Sequence, residues 1–197
     1  MLTHKKYVLA SSSKSRYKIL KNTGFNFIQV NPTCNEEKIK KEINKKNIPS
    51  IVAKKLSYEK ARSISKTDKY FDHYVIGCDT LIYINNKIFN KAKNIKEAKM
   101  KIKNLSGKKH KIVSGVTICK NGKKLWECTQ TSQVTMRKLT HAQIEKYLKK
   151  TGKQVLNSVG CYQIESFGPH IVENISGDLF NVMGLPLFKL LKRVLSI

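Results

Sequence analysis

Apolar and polar positions follow two spacings along this chain, and together they predict a mixture of strands and helices. Residues 7–10 are uniformly nonpolar, as expected for a buried strand, and residues 25–30 alternate, as expected for a second strand. From 50 to 65 apolar residues recur at helical spacing, which predicts a long helix. A further apolar run at 75–83 has the composition of a strand.

Turn and cap signals place the remaining elements. We predict one α/β or α+β domain over 1–197, with a mixed sheet, flanking helices and two lobes, because strands and helices mix throughout without repeats or a linker. The other predicted helices lie at 14–22, capped by Ser12 or Ser13, at 95–105, up to about 150 from a cap at Thr140, and from Pro186 to about 194, where the last helix is apolar. The predicted strands form a hairpin at 81–89 turning at Asn85-Asn86, a pair at 109–119 and 124–137 joined at Asn121-Gly122, and a strand through 170–175. The segment from Glu36 to about 47 is a loop or an exposed helix.

Asp79 interrupts the apolar run at 75–83 and is the first candidate for chemistry. A carboxylate inside such a run is costly to bury unless it is paired or bound to a cation. Asp79 is therefore expected where a strand meets a site, with an Asp that only closes a turn as the alternative.

Other polar groups lie beside apolar segments. The Ser-rich turn from Ser11 leads into a predicted helix with Arg16 in its first turn, which suits either an anion or an ordinary cap. Glu36 follows the second strand and serves either a divalent cation or charge balance. Lys60 either extends to the surface or points at the same cavity as Asp79, and the return strand of the hairpin is expected to bring Lys91 towards Asp79.

The charge of the chain raises the question of nucleic-acid binding. The net charge is +26, but only four of the 39 Lys and Arg residues are Arg, the residue suited to bidentate contacts with bases and phosphates. No RNA-binding, zinc-finger or basic-zipper pattern is present. The composition favours a solvated Lys-rich surface, with attraction of an anionic ligand as the alternative, and argues against nucleic acid as a partner.

Cysteine, histidine and hydropathy patterns narrow the class of protein. The five Cys residues are scattered without a Cys-x-x-Cys pair, as is typical of reduced cysteines in a cytosolic protein, and the five His residues lack zinc-ligand spacing. The basic, briefly apolar N-terminus is too short for a signal peptide and is interpreted as the first strand. No run reaches the length of a membrane span, so no membrane is expected as a partner.

The chain contains distinctive short motifs at 9–20, 59–61, 77–80, 91–92, 105–110, 159–162 and 182–187. Taken in order, these motifs resemble those of the Maf family of nucleotide pyrophosphatases over essentially the whole chain. The resemblance implies a cytoplasmic enzyme that hydrolyses a nucleoside triphosphate between the α and β phosphorus atoms. It also implies a divalent cation (Mg²⁺, Mn²⁺ or Co²⁺), an elongated fold with a cleft between two lobes, similar to the inosine triphosphatases, and a homodimer in many members.

The resemblance also implies roles for individual residues. Asp79 matches the acidic residue assigned as base, and it would either activate water or hold the metal together with Glu36. Phosphate binding and catalysis would involve cationic and hydroxyl groups, which suit charge spread over phosphoryl oxygens. These groups are Ser11, Arg16, Lys60 and Lys91.

Departures from the family pattern concern specificity. Ser15 stands where the family has a basic or aromatic residue, and Ala92 replaces the proline after Lys91. Glu165 is typical of the branch acting on 7-methyl-GTP, and its carboxylate can accept both N1–H and the 2-amino group of guanine. Thr80 is typical of the branch acting on dTTP and UTP. We favour 7-methyl-GTP, with dTTP or UTP as the alternative.

Two other interpretations stay open. The charge of +26 allows a non-enzymatic nucleic-acid-binding protein, whose affinity would fall steeply with salt. Ser15 and Ala92 allow an inactive family member that has kept the fold. The presence of Arg16, Lys60 and Asp79 favours the enzyme.

Overall fold

A computed structural model describes residues 5–43, 48–85 and 87–197 of the chain. The chain forms two compact units. Unit 1 contains the described residues up to Thr80 together with Val113–Gln130 and Gly184–Ile197, and unit 2 contains Leu81–Ile112 and Thr131–Met183.

The strands form one mixed seven-stranded sheet, as predicted. Its order is β2-β1-β3-β5-β6-β7, with β4 paired to β3. β1 runs parallel to β2 and β3, whereas β4 is antiparallel to β3 and β7 is antiparallel to β6. The strands are β1 (Tyr7–Ala10), β2 (Ile28–Val30), β3 (Tyr74–Ile84), β4 (Lys87–Phe89), β5 (Lys109–Lys120), β6 (Lys123–Met136) and β7 (Val172–Ser176).

Seven α-helices are described, and five of them match predicted helices closely. The helices are α1 (Lys14–Lys21), α2 (Glu36–Ile43), α3 (Pro49–Ser65), α4 (Ile95–Leu105), α5 (His141–Thr151), α6 (Leu179–Val182) and α7 (Leu187–Val194). Short 3₁₀ segments occupy Asp68–Tyr70, Gly152–Asn157 and Gly168–His170.

In unit 1, α3 packs directly on the sheet because two glycines allow it. A Cβ on Gly77 of β3 would lie 2.1 Å from the carbonyl oxygen of Ser57 and 2.6 Å from the backbone nitrogen of Ala61. A Cβ on Gly115 of β5 would lie 2.4 Å from the carbonyl oxygen of Ala53. Since real Cβ atoms do not approach backbone atoms this closely, a larger residue at Gly77 would push the helix away from β3.

Unit 2 has its own apolar core. The buried residues of α4 and α5 pack around it, including Ala98, Ile102 and Leu148. A complete capping box at Thr140 and Gln143 fixes the start of α5, because each side chain accepts a hydrogen bond from the backbone N–H of the other residue.

Two predicted strands are displaced relative to the structure. The second strand was expected over 25–30, but β2 begins at Ile28, which pairs with Val8. In this parallel register residues 25 and 26 have no partner in β1, and Phe25 instead packs its ring 4.7 Å from that of Tyr7. The strand expected through 170–175 is β7, which begins at Val172 after a 3₁₀ turn.

The structure decides the remaining expectations about local elements. The segment after Glu36 is a helix, α2, as far as it is described, and its predicted extension to 47 lies outside the described residues. Asn121 and Gly122 both have positive φ, 53° and 69°, as a tight hairpin turn requires. Asn86 of the other predicted turn lies outside the described residues. Within the ranges described, no helix is both long and apolar enough to cross a membrane.

Candidate active site

The Ser-rich turn after β1 forms the first part of the candidate site, in unit 1. Ser13 caps α1, since its side chain accepts a hydrogen bond from the backbone N–H of Arg16 at 3.3 Å. The Ser11 hydroxyl is buried and accepts from the backbone N–H of Ser13 at 3.2 Å. Gln29 of β2 donates to the carbonyl oxygen of Ser11 at 2.7 Å, so the neighbouring strand fixes the turn.

Arg16 is oriented by partners that are distant along the chain. Its Nε donates to the carbonyl oxygen of Gly184 at 2.7 Å, one Nη donates to Ser11 Oγ at 3.2 Å, and the other donates to Thr80 Oγ1 at 3.0 Å. A planar guanidinium held at three of its nitrogens presents a fixed direction of positive charge. The arrangement therefore prepares Arg16 to contact an anion.

Lys60 lies between two carboxylates. Its Nζ is 2.5 Å from Asp79 Oδ1 and 2.9 Å from Glu36 Oε1. Gly77 and Asp79 are two apart on β3 and so share one face of the sheet, and Gly77 allows α3 to approach that face. This close approach places Lys60, which precedes Ala61 on α3, beside Asp79.

Opposite charges favour the ionised forms of Lys60 and Glu36 despite their burial. Burial of Lys60 lowers the pKa of its ammonium group, but the nearby carboxylate of Asp79, aided by Glu36, outweighs that effect and raises the pKa overall. Partial burial raises the pKa of Glu36, and Lys60 outweighs it, so that pKa lies below its ordinary value. The positive charge of Arg16 lowers both pKa values, so it adds to the downward shift of Glu36 and opposes the upward shift of Lys60.

The two carboxylates are the groups that could hold a divalent cation. Glu36 and Asp79 face the same ammonium group, and carboxylate oxygens are preferred ligands of hard cations. Among the described residues, no group of three or more His, Cys, Asp or Glu could hold a metal ion. The donor set fits a cation such as Mg²⁺, which commonly binds one or two carboxylates and completes its shell with phosphate oxygens and water.

Comparison with known proteins decides the family. The family model described as "Maf-like protein" matches residues 6–196. The chain belongs to the Maf family. A 7-methyl-GTP pyrophosphatase of Bartonella quintana is 39% identical to this Maf protein over 187 residues, covering 95% of the chain and 93% of the relative.

Two further relatives of this Maf protein carry a broader name. A nucleoside triphosphate pyrophosphatase of Rhodopseudomonas palustris is 35% identical over 184 residues, covering 93% of the chain and 90% of the relative. One of Legionella pneumophila is 32% identical over 196 residues, covering 100% and 96%. The predicted family is thus confirmed, together with the mixed α/β fold.

The structure brings together six of the residues singled out from the sequence, all of them in unit 1. Ser15 is half-buried on α1 in unit 1. Lys91 follows β4 and Glu165 lies in a turn, both exposed and both in unit 2. The six that meet in unit 1 are Ser11, Arg16, Glu36, Lys60, Asp79 and Thr80.

Sequence reasoning missed two parts of this Maf site. The carbonyl oxygen of Gly184 accepts hydrogen bonds from Arg16, from Thr80 at 3.1 Å and from the Cys78 thiol at 3.2 Å. Gly184 stood in a recognised motif, but nothing in the sequence showed that its backbone would contact Arg16. Ser114, fully buried and 2.9 Å from Thr80, could have been noticed as a polar residue inside an apolar strand.

Proposed function

We propose that this Maf protein hydrolyses a nucleoside triphosphate between the α and β phosphorus atoms, releasing a nucleoside monophosphate and pyrophosphate. The observation that carries the proposal is the Glu36–Lys60–Asp79 group beside the oriented guanidinium of Arg16. Its carboxylates can bind a cation and orient water, and its cationic groups can bind phosphate oxygens. Phosphoryl transfer requires both kinds of group. The names of the relatives support the same reaction.

In this proposal the positive groups bind the triphosphate. Arg16 donates to phosphoryl oxygens, and the Ser11 hydroxyl, which accepts from Arg16 and Ser13, donates its own proton to the same anion. Lys60 exchanges one of its carboxylate contacts for a phosphate oxygen. We assign Lys91 of unit 2 a second lysine contact to the triphosphate.

Glu36 and Asp79 are proposed to hold a divalent cation, Mg²⁺, Mn²⁺ or Co²⁺. When bound, the cation neutralises charge on the phosphate oxygens and polarises the scissile bond. Two carboxylates from the protein leave its other positions to the substrate and water, which links cation binding to nucleotide binding.

We assign Asp79 the second task of orienting the attacking water and accepting its proton. The water oxygen bonds to the α phosphorus, the bond from that phosphorus to the bridging oxygen breaks, and pyrophosphate leaves with the bonding electrons. Arg16 and Lys60 stabilise the negative charge that develops on the phosphoryl oxygens. The five cysteines are free thiols, which suits a reducing compartment, and we place the reaction in the cytoplasm.

For the base, we propose 7-methyl-GTP, with dTTP or UTP as the alternative. Glu165 is an acceptor-only side chain that can receive both N1–H and the 2-amino group of a guanine, and its charge attracts the cationic 7-methylguanine ring. Two relatives named 7-methyl-GTP pyrophosphatase, at 39% and 37% identity, support this choice. Thr80 contacts Arg16 in the structure, so its hydroxyl serves the phosphate-binding group.

Pyrophosphate release by the purified protein tests the proposal. The panel contains 7-methyl-GTP, GTP, UTP, dTTP and CTP, each with Mg²⁺ or Mn²⁺ and with a chelator as the control. We expect turnover that requires the cation and is highest with 7-methyl-GTP. Highest turnover with UTP or dTTP would contradict the role of Glu165, and no turnover of any triphosphate would overturn the reaction itself.

A further inference from the structure

Ser114 is a buried hydroxyl that the sequence did not connect with the site. It lies on β5 in unit 1, its side chain is 0% exposed, and its neighbours Ile112, Val113 and Val116 are buried apolar residues. A buried hydroxyl costs free energy unless it is hydrogen-bonded, so its partner indicates what the serine does there. One of its partners is Thr80, whose Oγ1 is 2.9 Å from Ser114 Oγ.

Thr80 connects Ser114 to Arg16. The Thr80 hydroxyl accepts a hydrogen bond from an Arg16 Nη at 3.0 Å and lies 3.1 Å from the carbonyl oxygen of Gly184. Arg16 Nε donates to that same carbonyl oxygen at 2.7 Å. Arg16 and Thr80 therefore share an acceptor in addition to their direct contact, and a rotation of the Thr80 side chain would remove one of the three groups that orient the guanidinium.

The hydroxyl of Thr80 has a single proton for two neighbours. If it donates to Gly184, Ser114 donates to Thr80, and if it donates to Ser114, the serine fixes the direction of that proton. In both arrangements the lone pair facing Arg16 is kept in place by Ser114. An alanine at position 114 removes one of the contacts that hold the Thr80 rotamer, and the contacts with Arg16 and Gly184 stay.

We propose that Ser114 is a positioning residue that orients Arg16 for phosphate binding through the Thr80 hydroxyl, an inference that rests on the proposed function for its substrate. Ser114 does not touch the nucleotide, because it is fully buried behind Thr80. Its loss therefore weakens phosphate binding to the same extent whichever base the nucleotide carries.

The test measures pyrophosphate binding by calorimetry and turnover on the nucleotide panel for Ser114→Ala. The matched control is Ser57→Ala, because Ser57 forms a second buried serine–threonine pair in unit 1, 2.8 Å from Thr117, which does not lead to Arg16. We expect Ser114→Ala to weaken pyrophosphate binding about tenfold, because the hydrogen bond that it disturbs indirectly, from Arg16 to Thr80, involves a charged group. Melting temperatures of the two variants should fall by similar amounts, and the control should bind pyrophosphate as the wild type does.

A second pair of variants tests whether Ser114 acts through Thr80. Thr80→Val removes the hydroxyl at nearly constant volume, and in that background Ser114→Ala is expected to have no further effect on pyrophosphate binding. Additive losses, a loss equal to that of Ser57→Ala, or a changed ratio of kcat/KM between 7-methyl-GTP and UTP in Ser114→Ala would each overturn the inference. Wild-type protein that binds pyrophosphate without hydrolysing nucleotides would overturn only the proposed function, whereas wild-type protein that does not bind pyrophosphate would overturn both.

Discussion

The two units bury polar groups in opposite ways. In unit 1, Lys60 carries a charge between Asp79 and Glu36, and its side chain is 7% exposed. In unit 2, His110 is 2% exposed and contacts the Tyr162 hydroxyl through Nε2 at 2.6 Å, while its Nδ1 has no hydrogen-bond partner. Lys60 and His110 both lie inside the protein, yet only Lys60 is ionised at neutral pH.

The partners, not the burial, account for this difference. Burial disfavours the charged form of both residues, but Lys60 has carboxylates beside it and its pKa rises, whereas burial alone acts on His110 and lowers its pKa to about 4. A buried positive charge that is stabilised by two carboxylates is suited to chemistry on an anion. The neutral pair of unit 2 is a structural feature.

Removal of the ammonium group should produce the largest effect. Lys60→Met leaves Asp79 and Glu36 facing each other, with Asp79 buried and its charge uncompensated. We expect the free energy of unfolding to fall by about 4 kcal/mol, the cost of breaking a buried ion pair by removing one partner. Chemical denaturation at neutral pH measures this loss.

The control for this experiment removes a carboxylate as well. In Lys60→Met/Asp79→Asn the buried charge is gone, so part of the lost stability should return although the variant carries two substitutions. A double variant less stable than Lys60→Met by the full effect of Asp79→Asn would show that Lys60 and Asp79 do not interact.

Acid should have a smaller effect, and this effect should come from unit 2. With a folded-state pKa of about 4 against 6.5 ordinarily, His110 binds a proton in the unfolded chain before it does so in the folded protein. Its contribution to stability is complete above pH 6.5 and is lost as the pH falls towards 4, by roughly 3 kcal/mol in total. Lys60 behaves in the opposite sense, because its pKa is raised in the folded protein. Its contribution to stability is complete below pH 10.5 and is lost only in more alkaline solution.

Unfolding measured between pH 4 and 7 checks the assignment to His110. In His110→Gln, whose amide can still contact Tyr162, the free energy of unfolding should vary less steeply with pH, and its total loss over this range should be smaller by roughly 3 kcal/mol. His141→Gln is the control, because His141 is exposed on α5, and this change should leave the slope as it is in the wild type. Equal slopes in His110→Gln and wild type would refute the role of His110.

Much of the fold could be predicted because local signals agree with the packing. The capped helix after the first strand, the long helix α3 and the turn at Asn121-Gly122 each have a strong local signature. The second strand was predicted too long, because its length depends on the register with β1, which the residues of 25–30 do not contain. The short helix α6 depends on the cap formed by Asp178 and is too brief to show a period.

The candidate site was predictable in its residue types but not in its connections. Asp79 was recognisable as a carboxylate in an apolar run. For Lys60 the sequence left open whether the side chain extends to the surface or points towards Asp79, and the ion pair with Asp79 decides for the second. The contact of Arg16 with Gly184 joins positions 168 residues apart, and no local pattern records such a contact. Ser114 shows the same limit, since a buried serine gains its meaning only from Thr80.

The most direct test of the central claim, that Asp79 and its partners in unit 1 perform the hydrolysis, is the rate of pyrophosphate release by Asp79→Asn with the best triphosphate of the panel. Asparagine keeps the volume of the side chain but can neither accept the proton nor hold a cation as a carboxylate does. We expect a loss of at least about a thousandfold in kcat, with a circular dichroism spectrum unchanged from the wild type. Turnover within a few-fold of the wild-type rate in a folded variant would contradict the account.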